Sequence, residues 1–302
     1  MRVLCRVMKV SRSCYYEYLE RCAAADKRAA EAKRVRTCFF IHRRRYGSRR
    51  IGFDLGLGRF LVRRLMREQN LVAIQPKRFK PQTTDSRHGG LISPNLLKLP
   101  ENQPHRPGEV VVGDITYLPL RGGKWCYLAM FQDKLTRRII GWAVSNTMRA
   151  ELVVRALKMA LRRGLIRRGA MVHTDRGSQY VSRVYRQLLA WHEIKQSMSG
   201  KGNCYDNAQA ESFFSRFKAE LLEDGVFEDV NQARSETFSY IEGYYNRSRR
   251  HSGIGYLSPI EFERQLTNGT RLPQLKDQPV KQRLAMLASN PSRNNRPQTH
   301  QQ

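Results

Sequence analysis

Val110-Val111-Val112-Gly113-Asp114-Ile115-Thr116-Tyr117-Leu118 is the stretch that decides how this 302-residue chain folds. β-branched and aromatic side chains dominate it, and Pro119 with Gly122-Gly123 closes it, so it reads as a strand ended by a turn. Asp114 lies inside that otherwise apolar run. A carboxylate there is costly unless something compensates it. A bound Mg²⁺ would do so, being a hard cation that takes carboxylate, water and phosphate oxygens.

Working outward, Trp125 to Phe131 and Arg138 to Val144 are two more apolar runs across short turns, which predicts an antiparallel meander. A helix is expected from Ala150 to Arg163. The strand Met171 to Asp175 follows, with a second carboxylate at its C-terminal end. A helix from Tyr180 to His192, the short strand Ile194 to Met198 and a glycine-containing loop, Ser199 to Cys204, come next. Asp206 is expected to N-cap a helix reaching Leu222, with Gln209 completing a capping box. A meander followed by alternating helices and strands makes an α/β fold, a mixed sheet with flanking helices in the ribonuclease-H-like order. A further helix is expected from Val230 to Asn246.

Helical spacing places Ala210, Phe213, Phe214, Phe217 and Leu221 on one buried stripe. Glu211 falls at its edge, and Lys218 returns to the same edge. Asp114, Asp175 and Glu211 are therefore the candidate metal-binding and catalytic carboxylates. Taken alone, Asp175 before Arg176-Gly177-Ser178 is also compatible with an ordinary turn residue. Asp133 is a rival carboxylate, but Lys134 and the following turn suit it to a hairpin. His173 is a weaker candidate, and a buried strand histidine is at least as good a reading of it.

Lys and Arg number 55 against 26 Asp and Glu, a net charge of +29. A surplus of that size needs a polyanionic partner. Nucleic acid fits best, and a membrane surface is the runner-up. No apolar stretch approaches the roughly 20 residues of a membrane-spanning helix, and charges interrupt the N-terminus too often for a signal peptide. Cys5, Cys14, Cys22, Cys38, Cys126 and Cys204 show no CxxC pairing, so reduced cytosolic thiols are expected rather than a zinc or disulfide framework.

Residues 1–108 hold 25 of the basic residues and only 8 acidic ones. Short helices are expected there: one before Ser11, one from Ser13 to Leu19, a basic one from Arg28 to Phe40 and one from Phe60 to Gln69. Residues 1–80 are read as a basic, helix-turn-helix-like DNA-binding region, with Arg49, Arg50, Arg63, Arg64 and Arg67 as DNA contacts. The proline-rich stretch 81–108 is expected to be a linker, 109–265 the catalytic core, and 266–302 a disordered tail.

Three motifs carry a family resemblance: Asp114-Ile115-Thr116-Tyr117, then His173-Thr174-Asp175-Arg176-Gly177-Ser178-Gln179-Tyr180, then Asn203 to Phe214. They resemble the catalytic core of the IS3-family insertion-sequence transposases. Thirty-five residues separate Asp175 from Glu211, the D,D(35)E spacing of that family and of retroviral integrases, and Lys218 matches its basic residue seven positions after the glutamate. Tyr244-Tyr245-Asn246, Arg249 and His251 to Tyr256 resemble its C-terminal signature. The stretch between Ile51 and Val62 is several residues shorter than the family pattern, and Val111 replaces its usual Trp.

The resemblance implies a DDE-type transposase that cleaves DNA and joins a 3′-hydroxyl to target DNA. It further implies two Mg²⁺ ions, with Mn²⁺ as a substitute, on Asp114, Asp175 and Glu211, and Lys218 on DNA. Expected partners are DNA (element ends and target), an upstream-frame (OrfA-type) product or a fusion with it, and further copies of this chain on DNA, without a membrane. The expected location is the bacterial cytoplasm, in association with the nucleoid. Two other classes remain open on the residues alone: a metal-dependent nuclease of the same fold, and a non-catalytic DNA-binding relic.

Overall fold

A computed structural model describes residues 5, 7–8, 10–76, 92–200, 208–223 and 225–268. A 30-residue helix, α1 (Arg12–Ile41), opens it, N-capped by the Ser11 hydroxyl, which accepts from the Cys14 amide at 3.0 Å. The two helices expected over Ser13–Leu19 and Arg28–Phe40 are therefore one. No Gly or Pro interrupts the span, and alanines with Lys, Arg and Glu fill its middle, so propensity carries it where an apolar stripe is missing. Its C-terminal half is anchored. Val35, Cys38 and Phe39 pack with Tyr46 against α2 (Ser48–Leu55) and α3 (Arg59–Glu68) through Ile51, Val62, Leu65 and Met66. Gly56, at φ 65°, ends α2 in the left-handed conformation that glycine favours. The shortened stretch after Ile51 thus still forms two helices joined by a tight turn.

The core is a five-stranded sheet in the order β3-β2-β1-β4-β5. β1 (Val110–Pro119), β2 (Trp125–Asp133) and β3 (Ile139–Ser145) form the antiparallel meander. β4 (Met171–Thr174) and β5 (Lys195–Met198) add in parallel on the other side of β1. This is the ribonuclease-H-like α/β architecture. Helix α4 (Ala150–Arg162) covers one face, burying Leu152, Val153, Ala156, Leu157 and Ala160 against Val111, Phe131 and Ile140. The helix expected over Tyr180–His192 is broken at Ser182 into α5 (Ser178–Val181) and α6 (Arg183–Trp191), because the Ser182 hydroxyl caps the second piece.

On the other face lies α7 (Ala208–Leu222), whose Ala210, Phe213, Phe214 and Phe217 pack on Val112, Leu118, Leu128 and Met130. The long helix expected from Val230 is α-helical only as α8 (Val230–Phe238) and continues as a π-helical segment, Ser239–Tyr245. That widening buries Tyr240, Ile241 and Tyr245 together while Phe238 is left outside. Helix α9 (Pro259–Thr267) starts with a Ser258/Glu261 capping box.

Two expectations about organisation meet a different arrangement. Residues 92–108, read as linker, lie along β5: Leu96 N donates to Ser197 Oγ at 2.9 Å and Met198 N to the Pro94 carbonyl at 3.3 Å. The segment covers a sheet edge that would otherwise present unpaired backbone. The N-terminal helices also dock on the core. Tyr46 donates to the Ser248 carbonyl at 3.0 Å and accepts from the Arg250 amide at 2.8 Å. The expected disordered tail falls almost wholly outside the described residues, as do residues 77–91 and the glycine-containing loop from Lys201 onward.

Candidate active site

Strand pairing brings the first two carboxylates together. In the parallel β1/β4 register Val111 faces Val172 and Val112 faces His173, so two more residues along each strand place Asp114 beside Asp175. Gly113 comes opposite Thr174, one step before them in the same register. A Cβ there would come 3.2 Å from Thr174 Cγ2 and 2.5 Å from Phe131 Cε1. Only glycine lets the strands and the ring approach this closely.

Alternation along β1 turns Asp114 to the side of Val112 and Leu118, which is the side covered by α7. Glu211 lies in the first turn of that helix, where the positive end of the helix dipole favours an acid. Burial first, then the negative charges of Asp175 and Glu211, push the Asp114 carboxyl well above the usual range; the Ile115 amide, donating at 2.8 Å, and Lys218 act against this. Burial also raises the Glu211 carboxyl, although the residue is exposed. Burial lowers the half-buried Lys218 ammonium, opposed by its attraction to Asp114. Asp114 in the central strand and Asp175 just past the end of the neighbouring β4 thus interact with Glu211 on the covering helix, Lys218 offsetting part of their charge, a donor set of oxygens that suits a hard divalent cation.

Asp175 is held by the turn after β4: Gly177 N donates to its Oδ1 at 3.1 Å, and Arg176 Nε bonds the Ser199 carbonyl at 2.8 Å. Asp133 serves the hairpin. It is 2% exposed and accepts from Gly108 N and Thr136 N, each at 2.6 Å, and from Thr136 Oγ1 at 2.9 Å. His173 is fully buried in β4, with Nδ1 2.9 Å from Ser197 Oγ. Asp206 lies outside the described residues. The capping box expected between it and Gln209 therefore lies outside them too; Gln209 Nε2 donates to the Asp133 carbonyl at 3.2 Å.

The basic residues separate into two groups. Arg49, Arg63, Arg64 and Arg67 are exposed. Arg50 is half-buried, with Nε donating to the Arg250 carbonyl at 2.9 Å and the guanidinium 5.5 Å from the Tyr46 ring. It therefore joins the N-terminal helices to the C-terminal segment, a contact hidden from a reading of charge alone. Gly113 and Glu220 also escaped notice. A lone glycine before Asp114 was the available signal for the first; nothing marked the second as buried.

A ribonuclease-H-like sheet with acidic side chains at its central strands fits a DDE-type polynucleotidyl transferase. Residues 104–204 and 192–259 each match a family model described as an integrase core domain. The chain is 39% identical to the insertion element IS600 uncharacterized 31 kDa protein of Shigella sonnei, over 86% of this chain and 97% of that one. It is 38% identical to the transposase InsF for insertion sequence IS3A of Escherichia coli (strain K12), over 87% and 93% respectively. The chain belongs to the IS3 family of insertion-sequence transposases. Among solved structures, the HTLV-2 integrase catalytic core domain in complex with magnesium (trimeric form) aligns with 53% of this chain and 99% of that chain, at 12% identity and TM-score 0.41. A simian T-cell lymphotropic virus intasome aligns with 82% of this chain and 78% of that one, at 14% identity and TM-score 0.43.

Proposed function

We propose that Asp114, Asp175 and Glu211 are the catalytic trio of this transposase and hold divalent magnesium, two ions in number, with manganese as a substitute. The single observation that supports this reading is the β1/β4 register, which, carried two residues further, brings Asp114 next to Asp175 on the sheet face under α7. When bound, the ions supply Lewis-acid stabilisation of charge on the phosphoryl oxygens. The protein's own part is positioning. β1 and β4 fix two carboxylates on adjacent strands, α7 presents the third, and Lys218 offers a point charge to a DNA phosphate.

In the first step water attacks phosphorus at the element end, the bond from phosphorus to the 3′-oxygen breaks, and a free 3′-hydroxyl is left. In the second, that 3′-oxygen attacks phosphorus in target DNA, and the target's own 3′-oxygen departs. No covalent protein nucleophile is needed. Arg49, Arg63, Arg64 and Arg67 provide an exposed basic surface for DNA on the N-terminal helices, read as one unit over residues 1–80 beside a core at 109–265. The reading extends to an OrfA-type upstream product or a fusion with it, to several copies acting on paired ends, and to work in the bacterial cytoplasm at the nucleoid. No helix among the described residues is long and apolar enough to cross a membrane.

A strand-transfer assay tests this, using the full chain, duplexes carrying the element's own ends and a plasmid target. Joined product is expected with Mg²⁺ or Mn²⁺ and none with EDTA. Hydrolysis without any joining would favour a nuclease, and DNA binding without either reaction would favour a relic.

A further inference from the structure

Helix α3 carries an aromatic ring where folding gives no reason for one. Val62, Leu65 and Met66 turn inward to the helical core. At about 100° per residue, Phe60 points to the opposite side, with Arg63, Arg64 and Arg67 all within about 60° of it. Phe60 is 82% exposed. An isolated exposed apolar residue is ordinary. This one is centred in a face of arginines, and it is the second residue of the second helix in a helix-turn-helix pair. In such pairs the N-terminal residues of the second helix reach base edges in the major groove. The charge gradient agrees, because the acid of this helix, Glu68, sits at its far end and is paired there with Arg28 and Arg64.

We propose that Phe60 is a sequence-reading residue whose ring packs on a thymine C5-methyl in the major groove, while Arg63, Arg64 and Arg67 hold the flanking phosphates. A phenyl ring has nothing to offer a phosphate, and the thymine methyl is the apolar feature of that groove. The arginines supply affinity without sequence preference; Phe60 supplies the preference. This rests on the reading of the N-terminal helices as a DNA-binding unit.

The test uses the full chain and a duplex that the wild-type protein enriches from a random-sequence pool, beside an unrelated duplex. Wild type, Phe60→Ala and Arg67→Gln are titrated against both across a salt series. Thymines of the enriched duplex are then replaced one at a time by deoxyuridine, which lacks only the methyl. Phe60→Ala should lose at least tenfold on the enriched duplex and nothing on the unrelated one, with the wild-type salt slope. One deoxyuridine should weaken wild type several-fold and leave Phe60→Ala unaffected. Arg67→Gln should weaken both duplexes and flatten the slope. Enrichment of no sequence, equal binding by Phe60→Ala and wild type, equal loss on both duplexes, or indifference to every deoxyuridine would each overturn the proposal. If Arg67→Gln still behaves as expected, only the role of Phe60 fails. If it too binds like wild type, the DNA-binding reading of these helices fails with it. Phe60 is outside every packed cluster, so circular dichroism should show the variant folded as wild type.

Discussion

Glu220 of α7 and Arg249 form a two-pronged ion pair whose side chains are 1% and 3% exposed. Tyr240 donates to the same carboxylate at 2.8 Å, and Arg45 Nε donates to the Glu220 carbonyl at 3.3 Å. One point thus ties the N-terminal helices, the helix that carries Glu211, and the C-terminal segment. Burial alone would raise the Glu220 carboxyl. The Arg249 charge, with hydrogen bonds from Arg249 and Tyr240, outweighs it and holds the group below the usual range.

Glu220→Gln should therefore strand a buried guanidinium and destabilise the fold by about 3–5 kcal/mol, measured by urea unfolding. Replacing Arg249 with Met in the same chain should recover part of that loss, since the uncompensated charge is then gone. A single variant within about 0.5 kcal/mol of wild type, the range of ordinary surface changes, would mean the pair carries no weight.

His251 gives a pH dependence. It is half-buried against Tyr245, with ring centroids 4.8 Å apart. Burial, followed by the charges of Arg249, Arg50 and Arg137, holds its pKa well below 6.5. The unfolded chain then takes up a proton at a pH where the folded one does not. The stability this contributes is complete above about pH 6.5 and drains as pH falls toward the folded value. His42 shifts the same way, burial outweighing its attraction to Asp54. The melting temperature should fall between about pH 7.5 and 5.5, and His251→Asn should make that fall shallower. An unchanged slope would remove His251 from the account.

Gly113→Ala tests the close approach beside Asp114. The added carbon would sit 2.5 Å from a fully buried Phe131 ring, which has nowhere to move. A cost of about 1–3 kcal/mol is expected from such overpacking. Strand transfer should drop further than the lost stability explains, because β1 must shift at Asp114, the proposed catalytic residue. Wild-type activity in a destabilised variant would show that the strand position is not critical.

The meander and the buried stripe of α7 were legible because each rests on local periodicity. Helix α1 was not, since the described side chains of its N-terminal half are mostly exposed and form no apolar stripe. The π-helical widening at Ser239–Tyr245 was hidden for the opposite reason: Tyr240, Ile241 and Tyr245 keep an apolar pattern that an α-helix would satisfy equally. Arg50 read as a DNA contact and Glu220 drew no reading, because their partners, the Arg250 carbonyl and Arg249, lie far away in sequence. Proline in 92–108 suggested a linker, whereas this segment covers β5.

The most direct test of the central claim compares Asp175→Asn with Asp133→Asn in the strand-transfer assay, with melting curves and DNA binding measured on both. Asp133 holds its hairpin through both carboxylate oxygens, so Asn must forfeit bonds to Gly108 or Thr136 and lower the melting temperature. Asp175→Asn should keep the wild-type fold and DNA affinity while cleavage and joining both vanish. Joining that survives in folded Asp175→Asn, or a variant that fails only by unfolding, would contradict the assignment of the catalytic trio.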